Sequence, residues 1–358
     1  MFPYILLYSI IWLFPITRVL FKDARKYKNR YCAWIFVSVI LILGLRHPSM
    51  GNDLAGYLKS FDRLTDLSWK ELFSLDSYLN YEWGYIVFNK VIGDLSFKND
   101  QILLIVCALL STVPVWITIR LKSEDILMST VVYLGLPIFI LQFSGLRQCI
   151  AIGICFISLR FIEQKKFWKF SMLILLASTF HTTSLLFILA FFLYHLKIPD
   201  KIRWFTLLLF PIIFVFRKQI FLFFVLIFME DASLQQTNAI TMMLVFAMIY
   251  LFLLIVCYQD CDEQTNGYLN IFLFACLCMI FTGIYSTAIR VAYYFMISLI
   301  LLLPIAMNKL KKKLTDVRWI IFIRYVIIIC FILFAFDNIR ETYWAKAYPY
   351  HVFWEKMY

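Results

Sequence analysis

Charge is what this 358-residue sequence has least of: 16% of its residues are charged against 63% hydrophobic, with a mean hydropathy of +0.82. Soluble globular domains carry roughly a quarter charged residues. That class is excluded, and a polytopic membrane protein remains. No basic residue precedes the first apolar run, MFPYILLYSIIWLFP (1–15), whereas Arg18, Lys22, Arg25, Lys26, Lys28 and Arg30 follow it. A cleavable signal peptide has the opposite order, so this run is expected to stay as a transmembrane helix. The nine cysteines show no metal-ligand or disulfide-framework spacing and sit mostly within apolar runs, which reads as packing. There is no internal repeat, low-complexity tract or linker, with only 10 glycines and 9 prolines in the whole chain. A single integral membrane domain, 1–358, is expected.

What is there is a series of apolar runs, each able to cross a hydrocarbon core of about 30 Å only as a helix that satisfies its own backbone. Spans are expected near 3–20, 31–45, 101–120, 126–143, 147–162, 167–180, 183–196, 204–229, 239–258, 267–284, 287–306 and 319–336, about twelve in an all-α bundle. The net charge of +12 lies in short segments between the runs, where it reports orientation rather than nucleic-acid binding. With the cluster after the first span in the cytoplasm, alternation puts Arg120/Lys122, Lys165/Lys166/Lys169, Lys197/Lys201/Arg203 and Lys309 to Arg318 on that same side. Both termini, a larger loop at about 46–100, the turns at Arg147, His181 and Arg290, and the tail after Asp337 then face outward. This closure makes YEWGYIVFNKVIGDLSF (81–97) an interfacial or re-entrant amphipathic helix, with Glu82, Asn89, Lys90 and Asp94 as its polar residues. It also divides the run 167–196 into two short helices meeting at His181, with Thr182, Thr183 or Ser184 as the cap.

The polar residues that are awkward in a membrane converge on the outer side: Arg46, Asp53, Glu82, Arg147, His181 and Arg290. Charge at membrane depth costs roughly 2.5–3.5 kcal/mol, so such residues face a cavity or a partner. Arginines with carboxylates and a histidine against an apolar wall suit a substrate with an anionic head and a lipid tail, because the guanidinium fork binds phosphate oxygens in pairs. Each has a plainer reading: Arg46 as an interfacial anchor, Asp53 as a turn residue, Arg147 and Arg290 as members of intrabundle salt bridges, His181 as a satisfied polar residue at a helix junction. Arg217 and Lys218 either line a cavity or mark where one helix ends. DCDE (260–263) has the D-x-D spacing of metal- and nucleotide-sugar-dependent transferases but sits in a loop too short for such a domain, and reads as a solvated loop.

Five segments, in order, carry a resemblance: GLRHPSMGNDLAGY (44–57), YEWGY (81–85), SGLRQCIAIGI (144–154), ASTFHTTSLLF (177–187) and RVAYYF (290–295). They resemble the G-x-R…G-x-D, E-x-G-Y, GIRQ-x-IA, FH-x-S-A-L and R-x-x-Y-Y/F elements of the EpsG family of bacterial polysaccharide polymerases, related in function to Wzy polymerases. Leu54 departs from the tyrosine that often follows the aspartate. The resemblance implies a GT-C-like or Wzy-like bundle in the bacterial cytoplasmic membrane with its active site facing outward. It further implies a metal-independent glycosyltransferase without cofactor, whose partners are polyprenyl-diphosphate-linked oligosaccharide donor and acceptor, membrane lipids, and a flippase and chain-length regulator of the same pathway. Asp53, Glu82 and His181 are then the candidates for the base, with Arg46, Arg147, Arg290, Tyr57, Gln148, Tyr293 and Arg217 binding diphosphate or sugar. A lipid-linked oligosaccharide flippase, a polyprenyl-phosphate-dependent single-sugar transferase and, more distantly, an O-acyltransferase using His181 are the rival readings.

Overall fold

The structure, a computed structural model, describes residues 1–17, 24–74, 81–228, 240–285, 287–341 and 345–356. Arg18 and Lys22 of the first basic cluster lie outside these. The described chain is all-helical and contains no strand; its one β-bridge joins Arg46 to Val352. In order come α1 (Phe2–Thr17), α2 (Ala24–Gly44), α3 (Leu54–Asp66), α4 (Trp69–Ser74), α5 (Trp83–Ser96), α6 (Asp100–Lys122), α7 (Ile126–Gly135), α8 (Pro137–Leu141), α9 (Leu146–Glu163) and α10 (Phe167–Ser178). A 3-10 segment (Thr182–Ile188) leads into α11 (Leu189–His195), α12 (Asp200–Phe228), α13 (Ile240–Cys257), α14 (Glu263–Phe281), α15 (Thr287–Met296), α16 (Leu299–Lys313) and α17 (Val317–Glu341). Contacts divide the chain into two compact units: 1–159 with 168–185 and 325–358, and 160–167 with 186–324.

By length and composition four helices of the described residues can cross a membrane: Asp100–Lys122, Asp200–Phe223, Glu263–Phe281 and Val317–Arg340. The pair α15 and α16, bent by 46° at a short break, makes a fifth. The expected count of about twelve is not established by these helices. Several expected spans are shorter apolar helices here, and the reason is local. Leu136 takes an extended conformation (φ −70°, ψ 149°) ahead of Pro137, as a residue before proline prefers, and so divides the run 126–143 into α7 and α8. α6 stays whole because Asn99 Oδ1 accepts the N–H groups of Gln101 (2.9 Å) and Ile102 (3.2 Å), while Asp100 and Arg120/Lys122 match the ends of its dipole.

In the first unit the long loop at about 46–100 folds into a small helical layer. α3 buries Leu54, Tyr57, Leu58, Phe61, Leu64 and Thr65, the 3–4 spacing of one helical face, and leaves Lys59, Asp62 and Arg63 exposed. That face packs on α5. Two polar residues of α5 turn inward while Asp94 stays exposed: Asn89 Nδ2 donates to the Tyr85 carbonyl (2.7 Å), and Lys90 Nζ donates to the Thr65 carbonyl (3.1 Å) and to Asp94 (2.7 Å). Exposed Trp83, Val91 and Leu95 and half-buried Val87 form an outward apolar stripe at four-residue spacing. α5 is therefore amphipathic as expected, but with Asn89 and Lys90 on the protein side and hydrocarbon on the outside, the arrangement of a helix facing lipid.

The C-terminal segment folds back onto the end of α2 and the residues that follow it. His47 N–H donates to the His351 carbonyl (2.9 Å), Phe353 N–H to the Leu45 carbonyl (3.0 Å), and Tyr350 Oη to the Ile42 carbonyl (3.0 Å). Tyr4 Oη donates to the Ala347 carbonyl (2.7 Å), which gathers both ends of the chain and residue 46 at one end of this unit.

The second unit is built around α14, which packs against α11, α12, α13, α15 and α16. Asp262 caps α14, accepting the Thr265 N–H at 2.8 Å, and Lys309 of α16 reaches Asp260 (3.3 Å) and Asp262 (2.9 Å). Both aspartates of the D-x-D spacing are thus engaged in holding α16 to this loop.

Candidate active site

Two interlocking joints in the first unit bring the separated sequence motifs together. In the first, the loop 46–53 wraps around the residues that lead into α9. Arg46 Nη2 donates to the Phe143 carbonyl at 3.3 Å, and the Asp53 N–H donates to Ser144 Oγ at 3.1 Å. Gly51, at φ 103°, lies so close to Phe143 that an added Cβ would collide with its carbonyl. Arg147 follows on the first turn of α9.

In the second joint, the N-terminus of α5 docks on the break after α10. A Cβ on Gly84 would collide with Thr179 Oγ1 and sit 2.8 Å from its carbonyl oxygen, so only glycine permits the approach that lets Tyr85 N–H donate to that carbonyl (3.1 Å). Phe88 and Phe180 meet edge to face, 6.0 Å between centroids. The chain breaks at His181, as the run's length predicts, but none of Thr182, Thr183 and Ser184 caps the new helical segment, whose first N–H, that of Thr182, goes to Glu82. Thr182 turns its hydroxyl to Glu82 instead, and the hydroxyls of Thr183 and Ser184 are buried without a partner.

The joints meet at Glu82. One carboxylate oxygen, Oε2, pairs with Arg147 Nη1; the other, Oε1, accepts from Thr182 N–H (2.9 Å) and Thr182 Oγ1 (3.1 Å) and lies 3.3 Å from His181 Nδ1. The histidine contact has ion-pair distance without hydrogen-bond alignment, and Nε2 on the far side of the ring is buried with no partner. Burial works against ionisation of Glu82, but His181, the Thr182 N–H and Arg147 together outweigh it and hold the carboxyl at about 2. Arg147 lies over the Tyr81 ring (4.4 Å to the centroid), and its Nε approaches Tyr57 Oη at 3.5 Å. Its Nη2 has no hydrogen-bond partner among the described residues. The side chains of Arg147 and Glu82 keep 15% and 17% of their surface exposed, so a ligand can reach them.

The sequence profile of the EpsG family matches residues 29–352. The chain belongs to the EpsG family. No curated protein and no solved structure is significantly similar to it. Membership supports a role as a polysaccharide polymerase, and the apolar helices make this EpsG-family chain a multi-pass membrane protein.

Of the residues singled out in the sequence, this EpsG-family site unites Glu82, Arg147, His181 and Tyr57. Asp53 stands at the start of α3, exposed, with no side-chain capping bond. Gln148 is buried beside Arg147 in α9. Arg46 is 1% exposed: Nη1 donates to the Leu43 carbonyl (2.7 Å), and the guanidinium lies 5.2 Å from the Phe143 ring centroid. It is a buried pin of the first joint rather than an interfacial anchor. Arg290, Tyr293 and Arg217 belong to the second unit. Arg290 is exposed on the first turn of α15, and Tyr293 is buried one turn later. Arg217 folds back on its own helix, donating to the Phe214 carbonyl (2.8 Å) over the Phe214 ring (3.8 Å). α12 runs through Arg217 without a break, so this residue does not mark a helix end.

Tyr81, Tyr85, Thr179 and Thr182 are the site residues that reading by residue type misses. All four lie within three residues of Glu82 or His181, in YEWGY (81–85) and ASTFHTTSLLF (177–187), and that proximity is the available signal.

Proposed function

We propose that this chain polymerises lipid-linked oligosaccharide repeat units at the outer leaflet, transferring the growing glycan from polyprenyl diphosphate to a hydroxyl of a second lipid-linked unit. The observation that carries the reading is the convergence of three matched motifs, E-x-G-Y, the α9 start and F-H, on one ionised carboxylate. Glu82 is a poor base because its charge is already held by three neighbours and its proton affinity is very low. It is better suited to orienting His181 so that Nε2 faces the acceptor hydroxyl, the part the carboxylate plays behind histidine in hydrolase triads. His181 then removes the hydroxyl proton as the anomeric carbon–oxygen bond to the diphosphate breaks. Arg147 keeps one nitrogen on Glu82 and turns the uncommitted Nη2 to the departing diphosphate, whose growing charge it offsets. Asp53, exposed and without a capping bond, is the second carboxylate available to the oxocarbenium-like centre.

The test is incubation of purified protein with a single lipid-linked repeat unit. A ladder of glycan lengths is the expected product. Release of free oligosaccharide alone, or movement of intact lipid-linked unit across a vesicle bilayer without elongation, refutes the reading.

A further inference from the structure

An apolar groove opens directly beside the charged cluster, between α5 and the end of α10. Its space, about 650 Å3, is lined by Phe73, Trp83, Val87, Phe88, Leu176 and Phe180, with Gly84 and Thr179 at its floor. Two of these residues adjoin the site in sequence: Trp83 follows Glu82, and Phe180 precedes His181. The α5 wall is the outward apolar stripe, and Phe73 stacks on Trp83 at 6.2 Å to extend it. No lining side chain carries a charge, whereas the Glu82 carboxylate and His181 stand one residue away, and the Arg147 guanidinium is paired with Glu82. A ligand filling both regions has an anionic head and a long apolar chain.

We infer that this groove holds the isoprenoid chain of the lipid-linked donor, with its diphosphate toward Arg147; the assignment rests on the reading given under Proposed function and adds where the lipid is held. Three features favour an isoprenoid diphosphate over an ordinary membrane phospholipid. The groove lies against the charged cluster, with Trp83 directly after Glu82 and Phe180 directly before His181 among its lining residues. Four of its nine lining residues are aromatic, a surface that suits the flat trisubstituted double bonds of isoprene. The close approach at Gly84 joins groove and charged cluster in one rigid joint, so that seating the chain also sets the position of the head.

The experiment uses the full chain in vesicles of phosphatidylethanolamine and phosphatidylglycerol. The probe is a long-chain polyprenyl diphosphate carrying a diazirine on an isoprene unit near the head. Crosslinks are expected on peptides containing Val87 and Leu176, competed by unlabelled polyprenyl diphosphate and not by excess phosphatidic acid. Val87→Trp and Val91→Trp fill the groove from the lipid side and should cut this labelling about tenfold, with protein level and melting temperature unchanged. In the polymerisation assay they should raise KM for long-chain donor and leave a donor with a two-isoprene chain unaffected. Labelling competed equally by phosphatidic acid, or spread along other helices, overturns the assignment and makes the groove a bilayer-facing surface. A ladder from the wild type with crosslinks elsewhere refutes the groove alone. Specific groove labelling without any ladder keeps the groove and refutes the polymerase reading.

Discussion

Replacing Glu82 by glutamine removes one charge and almost no volume, and it tests the joint at its centre. The amide keeps an oxygen for the Thr182 N–H, but its NH2 group then faces Arg147, donor against donor. The magnitude follows from the carboxyl itself, held at about 2 against an ordinary 4.5. At 1.36 kcal/mol per pH unit this difference corresponds to roughly 3 kcal/mol, and solvent reaching the open side of the carboxylate reduces it to about 1–3 kcal/mol. The sign follows from the direction. Because folding lowers the affinity of Glu82 for its proton, its contribution is complete above the unfolded value near 4.5 and fades as pH falls toward 2. Thermal melting in detergent between pH 3 and 8 should therefore show wild-type stability dropping below about pH 4.5. Glu82→Gln should begin lower at pH 7 and lack that part of the acid slope, with ladder formation lost because Arg147 loses its carboxylate partner and the imidazolium formed on His181 loses the negative charge that stabilises it. A variant with wild-type melting at pH 7 and an unchanged acid slope would refute the electrostatic account of the joint, whatever its activity.

Three further outcomes are expected. Arg147→Lys should fold and still pair with Glu82, yet lose ladder formation by at least about tenfold, some 1.4 kcal/mol, because lysine lacks the second nitrogen; Arg290→Lys, measured beside it for protein level, melting and ladder, asks the same of α15, and near-normal polymer from either removes that arginine from the active site. Gly84→Ala should cost about 1–3 kcal/mol through its collision with Thr179, and wild-type melting would mean that the approach of α5 to Thr179 is not required. A cysteine at position 123 should react with impermeant reagent only from the cytoplasmic side and one at position 77, outside the described residues, only from the outside; labelling of 123 in intact cells would reverse the topology.

Composition and charge placement carry the membrane class, and the length of the run 167–196 carries its break, because both depend on counts along the chain. What joins the pieces depends on tertiary contact and leaves only a residue type behind. Thr182 reads as a helix cap in FHTTS, since threonine favours that position; only the approach of α5 shows that Glu82 takes its hydroxyl. Asn89 and Lys90 read as a water-facing side of α5, because periodicity marks two faces without saying which one meets the protein. The division of 126–143 is different in kind. Pro137 is visible in the sequence, but a proline inside an apolar run is as compatible with a kinked span as with two helices, and the extended Leu136 decides it.

Arg46 shows why a motif residue need not touch substrate to belong to a functional motif. It is almost fully buried, its donors are spent on the carbonyls of Leu43 and Phe143, and its Nε has no partner. A buried guanidinium satisfied only by carbonyls and an aromatic face is a costly way to hold a loop. The same contact fixes Phe143, against which Gly51 makes its closest approach, and the next residue, Ser144, takes the Asp53 N–H. Asp53 and Arg147 therefore lie on two sides of one hinge whose geometry Arg46 sets. A lysine there would have a single ammonium to reach two carbonyls from different elements. In this arrangement G-x-R and G-x-D form one structural unit that places a carboxylate beside the start of α9, which accounts for their occurring as a pair seven residues apart.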